Sequence, residues 1–225
     1  MENIFYGLKR WQLIFLSMIV ALGLVSIIYS YRHRIPNLPV SIRITIPEGF
    51  DNKDIANLFD IRFKYFDHQV FIENAPQGYM FPDTYYVGLY STATSTMELL
   101  QNNFDRKISP YIQDIKNSKH SLKEIVLMAS IIEAEVKGSL DRRIVSGILW
   151  ERIKTNMPLQ VDSSPETYKH SGFPSVPLNN PGLDSILSAI KPTPSAYLYF
   201  LTDKNGIMHY AKTFDEHKAN KAKYL

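Results

Sequence analysis

Glu133 stands out by its neighbours. From Ile125 to Glu133 only Ser130 and Glu133 itself are polar. On a helix Glu133 borders Val126, Ala129 and Ser130, at the edge of an apolar face. A carboxyl in that setting loses hydration, which favours its protonated form. A protonated carboxyl near neutral pH suits cleavage of a glycosidic bond, because the departing alkoxide needs a proton. The competing reading is a Glu on the wet edge of the helix, paired with Arg142 or Arg143. Glu135, two residues on, faces another way and reads more readily as structural.

Other chemistries find little support. The chain of 225 residues has no cysteine, so thiolate nucleophiles, disulfides and thiolate metal sites are excluded. Its six histidines lack ligand spacing, and no metal or cofactor is expected. There is no Gly-x-x-x-x-Gly-Lys loop and no Gly-x-Ser-x-Gly elbow. A net charge of +3 without a basic cluster gives no sign of nucleic-acid binding.

The elements that must position Glu133 are partly legible. Trp11 to Tyr31 carries no charge, and 21 residues of helix reach roughly 30 Å, the thickness of a bilayer core. Tyr-Ser-Tyr-Arg-His-Arg follows in place of a small-residue cleavage site, favouring an uncleaved anchor. Lys9 and Arg10 before the span balance Arg32 and Arg34 after it, so flanking charge leaves its orientation open. Residues 35–40 read as a stiff linker and 41–46 as a half-buried strand. Asp51 or Asn52 caps a short helix.

Helical spacing covers Ser91 to Lys107. A capping box at Ser121–Glu124 opens the Glu133 helix, which Gly138 is expected to end. A further helix spans about 140–154, and a Pro-rich loop about 157–181. A short helix follows at 183–190. Asn205-Gly206 marks a hairpin, and Thr213–Glu216 caps the last helix. The expected fold class is α+β: one transmembrane helix, a small strand–helix unit, then an α+β domain.

Several segments in order resemble a known family. These are Gly78-Tyr79-Met80-Phe81-Pro82-Asp83-Thr84-Tyr85, Ala129-Ser130-Ile131-Ile132-Glu133-Ala134-Glu135, Pro158-Leu159-Gln160-Val161-Asp162 and the Gly172–Gly182 loop. Tyr197-Leu198-Tyr199-Phe200 and Glu216-His217 extend the series. Together they are similar to the YceG-like (MltG) endolytic murein transglycosylases. The resemblance implies a cytoplasmic N-terminus (1–10), an anchor (11–31), a linker with a reduced LysM-like unit (32–76) and a catalytic domain outside the cell (77–225).

It further implies Glu133 as single acid and base, with Gln160, Asp162, Tyr85 and Asn180 lining a glycan cleft. The implied partners are peptidoglycan strands, the membrane and peptidoglycan synthases. The implied product is a 1,6-anhydro-muramic end. Gln77, Val136, Glu151, Ser163-Ser164 and Lys218 depart from the family pattern. A catalytically silent glycan-binding protein, and a hydrolase with Asp162 as second carboxylate, are the rival readings.

Overall fold

The computed structural model describes residues 10–33 and 40–225. Lys9, Arg34 and linker residues 35–39 fall outside them. Two compact units divide the chain near Val40.

The first unit holds helix α1 (Arg10–His33). Arg10–Ser30 has a mean hydropathy of 2.4, and none of it is buried. A soluble core helix of that composition would be covered by other elements. By length and composition α1 is able to cross a bilayer.

The second unit, 41–225, is mixed α and β. Strand β1 (Ser41–Thr45) leads into α2 (Asn52–Asp60) and α3 (His68–Asn74), and β2 (Thr84–Gly88) returns antiparallel to β1. The register pairs Ile44 with Tyr85 and Ile42 with Val87, so one face carries apolar side chains inward. Of the two caps the sequence offers, Asp51 is the one used, in a reciprocal box with Asp54. The β1–β2 pair and its helices close over Phe59, Phe63, Phe71 and Met80, against Leu100 of α4 (Ala93–Ile108). Five residues per strand cannot hold a core alone, which is why this unit leans on α4.

The larger core is built around α6 (Leu122–Glu135), which follows a short α5 (Ile112–Ser118). Every residue from Ile125 to Ile132 is buried. The reciprocal box of Ser121 and Glu124 starts α6 as expected. Its end differs from expectation: α6 stops at Glu135 with Val136 extended, and Gly138 instead stands as N-cap of α7 (Ser139–Lys154). Helix α8 (Leu183–Ile190) packs against α6 and α7. Strands β3 (Tyr199–Thr202) and β4 (Met208–Ala211) form the Asn-Gly hairpin, on which α9 (Phe214–Tyr224) rests.

Candidate active site

The two glutamates at the end of α6 have opposite surroundings. Successive helix residues are rotated by about 100°, so Glu133 and Glu135 leave the helix in different directions. Glu133 turns toward α7 and α8. Its Oε1 accepts from Arg142 Nη2 at 3.1 Å, and its Oε2 accepts from Gly182 N at 3.0 Å and Ser185 Oγ at 2.8 Å. Its side chain is 7% exposed. Arg142 also pairs with Asp184 at 3.0 Å and donates through Nε to Val136 O. Ser139 Oγ donates to Asp184, and that bond is the main reason Asp184 titrates below the ordinary range.

This cluster ties three helices together and leaves Glu133 with no free oxygen. The pairing with Arg142 that the sequence left open is the observed one, although the side chain is buried rather than on a wet edge.

Glu48 approaches the same cluster from the turn after β1. A Cβ added to Gly182 would lie 1.9 Å from Glu48 Oε1, so that glycine is the reason the carboxylate fits. Partial burial, then the charge of Glu133, raises the Glu48 pKa.

Glu135 turns the other way. Its Oε1 accepts from Ser163 N at 2.9 Å, which pins the long loop to the end of α6. It lines a cavity of about 550 Å³ together with Arg152, Gln160, Asp162, Tyr168, Tyr199 and His217. It also lines a neighbouring cavity of about 420 Å³, bounded by Lys137, Asp141 and the β3–β4 turn. Thr202 is likewise shared. Openings of these volumes suit a sugar-sized ligand. Asp162 Oδ1 accepts from Tyr168 O–H at 2.6 Å, a bond that pushes the phenol up to about 12.

The five residues expected to share a cleft therefore separate into four places. Gln160 and Asp162 line the Glu135 cavity, which Glu133 does not. Gln160 holds a positive φ of 49°, and its N–H donates to Thr167 O in the loop. Tyr85 lines neither cavity: it is 6% exposed, its hydroxyl donates to Phe81 O at 2.5 Å, and burial raises its pKa. Asn180 is fully buried. Its Oδ1 accepts from Gly78 N and Met80 N, while Nδ2 donates to Phe50 O and Asn52 Oδ1. Asn180 thus clamps its own loop to two other stretches of chain.

Gln77, the departure from the family pattern, does related work. Its Oε1 accepts from Asn52 N and its Nε2 donates to Leu178 O. A carboxylate could accept the first bond but not donate the second.

Among the described residues no group of three His, Asp or Glu side chains is arranged to hold a metal. Glu135, Arg152, Tyr168, Tyr199 and His217 were not picked out for the cleft from sequence. The Glu-x-Glu spacing does signal two helix faces, but only the packing tells which face is open.

Comparison with known proteins agrees with this architecture. The YceG-like family profile matches residues 26–166 and 164–223, and the chain belongs to that family. It is 26% identical to an endolytic murein transglycosylase of Streptococcus pneumoniae over 84% of this chain and 46% of that protein. It is 29% identical to the endolytic murein transglycosylase of Bacillus subtilis over 68% of this chain and 49% of that protein. The chain thus spans about half the length of these curated relatives. A crystal structure of a YceG-like protein from Listeria monocytogenes superposes with a TM-score of 0.70 at 24% identity, covering 80% of this chain and 76% of that one. That likeness establishes the shared fold.

Proposed function

We propose that this chain is a membrane-anchored lytic transglycosylase acting on peptidoglycan, with Glu135 rather than Glu133 as acid and base. The observation that carries the reading is the position of Glu135 between two adjoining cavities, which lets a polymer run past the carboxyl in both directions. The activity named for the relatives supports the substrate class.

In this reading Glu135 gives its proton to the oxygen bridging N-acetylmuramic acid and N-acetylglucosamine, and the C1–O bond breaks. The muramic C6 hydroxyl then attacks C1 and returns its proton to Glu135. A 1,6-anhydro ring forms and no water is consumed. Ser163 N, donating to Oε1, holds the carboxyl in place throughout. Helix α1 would tether the enzyme to the cytoplasmic membrane with the second unit outside. The β1–α2–α3–β2 order, closed by an antiparallel pair, supports a reduced LysM-like unit.

One observation favours a second reading. Asp162 lines the same cavity as Glu135, and a second carboxylate that activates water would make the enzyme a hydrolase.

The test is mass spectrometry of glycans released from peptidoglycan by the detergent-solubilised chain. Wild type should release 1,6-anhydro ends, Glu135→Gln should lose at least about a hundredfold in rate, and Glu133→Gln should retain activity while folded. Free reducing ends would establish the hydrolase. Loss of activity in folded Glu133→Gln with Glu135→Gln active would return the role to Glu133. Absence of any release, nascent strands included, would leave a glycan-binding protein.

A further inference from the structure

The cavity beside Glu135 contains a cation that no carboxylate among the described residues meets at ion-pair distance. Arg152 is 4% exposed. Its Nε donates to Leu198 O at 2.8 Å, and its Nη1 donates to Pro158 O at 3.3 Å and Leu159 O at 2.6 Å. Tyr199 covers one face of the guanidinium at 5.1 Å. Among the described residues Nη2 has no hydrogen-bond partner, and no carboxylate forms an ion pair with Arg152. Nη2 is not one of the enclosed polar atoms without a partner, so it is the edge of the guanidinium that reaches the cavity. A buried charge without a counter-charge is costly, and the open donor marks where an anion would relieve that cost.

The walls bring further cations. Lys218 and Lys221 of α9 line the same space. Lys218 is offset by Asp215 at 2.8 Å, whereas Lys221 has no ion pair among the described residues. Glu135 and Asp162 share the wall, but neither forms an ion pair with Arg152 or Lys221 among the described residues: Glu135 accepts from Ser163 N, and Asp162 from Tyr168 O–H. His217 stacks on Tyr199 at 5.4 Å. Burial first, then Lys221 and Arg152, lower its pKa from the usual histidine value, which favours the neutral ring.

We propose that Arg152 Nη2 and Lys221 bind a carboxylate of the substrate and so select which glycan strands enter. This rests on the glycan-cleaving reading above and adds a specificity determinant to it. A muramic sugar offers two sources of that group: its lactyl carboxylate, or the carboxylates of the peptide that the lactyl group carries. A chain of N-acetylglucosamine alone offers neither.

The experiment is calorimetric titration of the full-length Glu135→Gln chain in detergent with three ligands. These are a peptide-bearing muropeptide tetrasaccharide, the same tetrasaccharide stripped by amidase, and chitotetraose. At low salt one or both anionic ligands should bind about tenfold tighter than chitotetraose, and added salt should shrink the gap. Lys221→Gln should reduce that advantage about three- to fivefold without changing chitotetraose binding. Preference for the peptide-bearing ligand alone assigns the carboxylate to the peptide. Equal or better binding of the stripped ligand assigns it to the lactyl group. Equal binding of all three ligands overturns the proposal, as does an undiminished advantage in folded Lys221→Gln. Digestion assays on wild type, run in parallel, separate the two readings. Digestion without ligand preference removes only the carboxylate proposal, and preference without digestion removes only the enzyme.

Discussion

Glu133 and Arg142 form a nearly closed ion pair, 3.1 Å between Nη2 and Oε1, with side-chain exposures of 7% and 12%. Gly182 N and Ser185 Oγ complete the acceptor capacity on the other carboxylate oxygen. The pair joins α6 to α7, and the two further donors join α6 to α8. Its position argues for a clasp between helices more than for a group that exchanges protons with a substrate.

Removing one partner of such a pair leaves the other charge buried. Glu133→Ala should therefore cost about 3 kcal/mol of stability, at the lower end of the usual range because Arg142 keeps Asp184 as a partner. Thermal or denaturant unfolding measures this directly. A variant that melts like wild type yet cleaves no glycan would show that Glu133 acts on substrate instead.

Asn180 gives a second contrast between a cleft residue and a clamp. Asn180→Ala strands the N–H groups of Gly78 and Met80 and removes both Nδ2 bonds. The loss should be about 2–4 kcal/mol, since each buried polar group left unpaired costs about 1–3 kcal/mol. Glycan affinity of the folded fraction should be unchanged. Weakened glycan binding at unaltered melting temperature would restore Asn180 to the cleft.

Glu48 should make stability depend on pH. Burial and the neighbouring Glu133 raise its folded pKa above the ordinary 4.5. The folded state thus favours the protonated carboxyl. That contribution is complete below 4.5 and is lost as pH rises through the folded value. Glu48→Gln should melt at a higher temperature than wild type at pH 7, and the gain should shrink to nothing as the pH falls toward 4.5. Differential scanning calorimetry across that range is the check. A gain that does not vary with pH would trace it to something other than the charge.

Much of the fold was legible because its signals are local. The Ser121 and Thr213 boxes cap their own helices, and Asn205-Gly206 turns its own hairpin. The uncharged run of α1 states its length in its own composition. Gly138 misled because a glycine near a helix end serves either as a stop or as the start of the next helix. Which of these it became depended on Val136 adopting an extended backbone. The short helices α3 and α5, seven residues each, carry too few turns for periodicity to show.

The sequence by itself determined the family motifs, their order, and the presence of two carboxylates at the end of an apolar helix. It favoured Glu133 over Glu135 but could not show which of them lies open, because α6 is buried nearly all round and its sequence carries no open face to read. The tertiary structure sets the surroundings of each by what packs on its side. Helices α7 and α8 bring Arg142, Gly182 and Ser185 to Glu133 and close it. The 157–181 loop touches Glu135 through Ser163 N, and with the hairpin and α9 it leaves cavities beside that carboxylate. A residue's neighbours along the chain set its helix face, but whether that face is filled depends on segments tens of residues away.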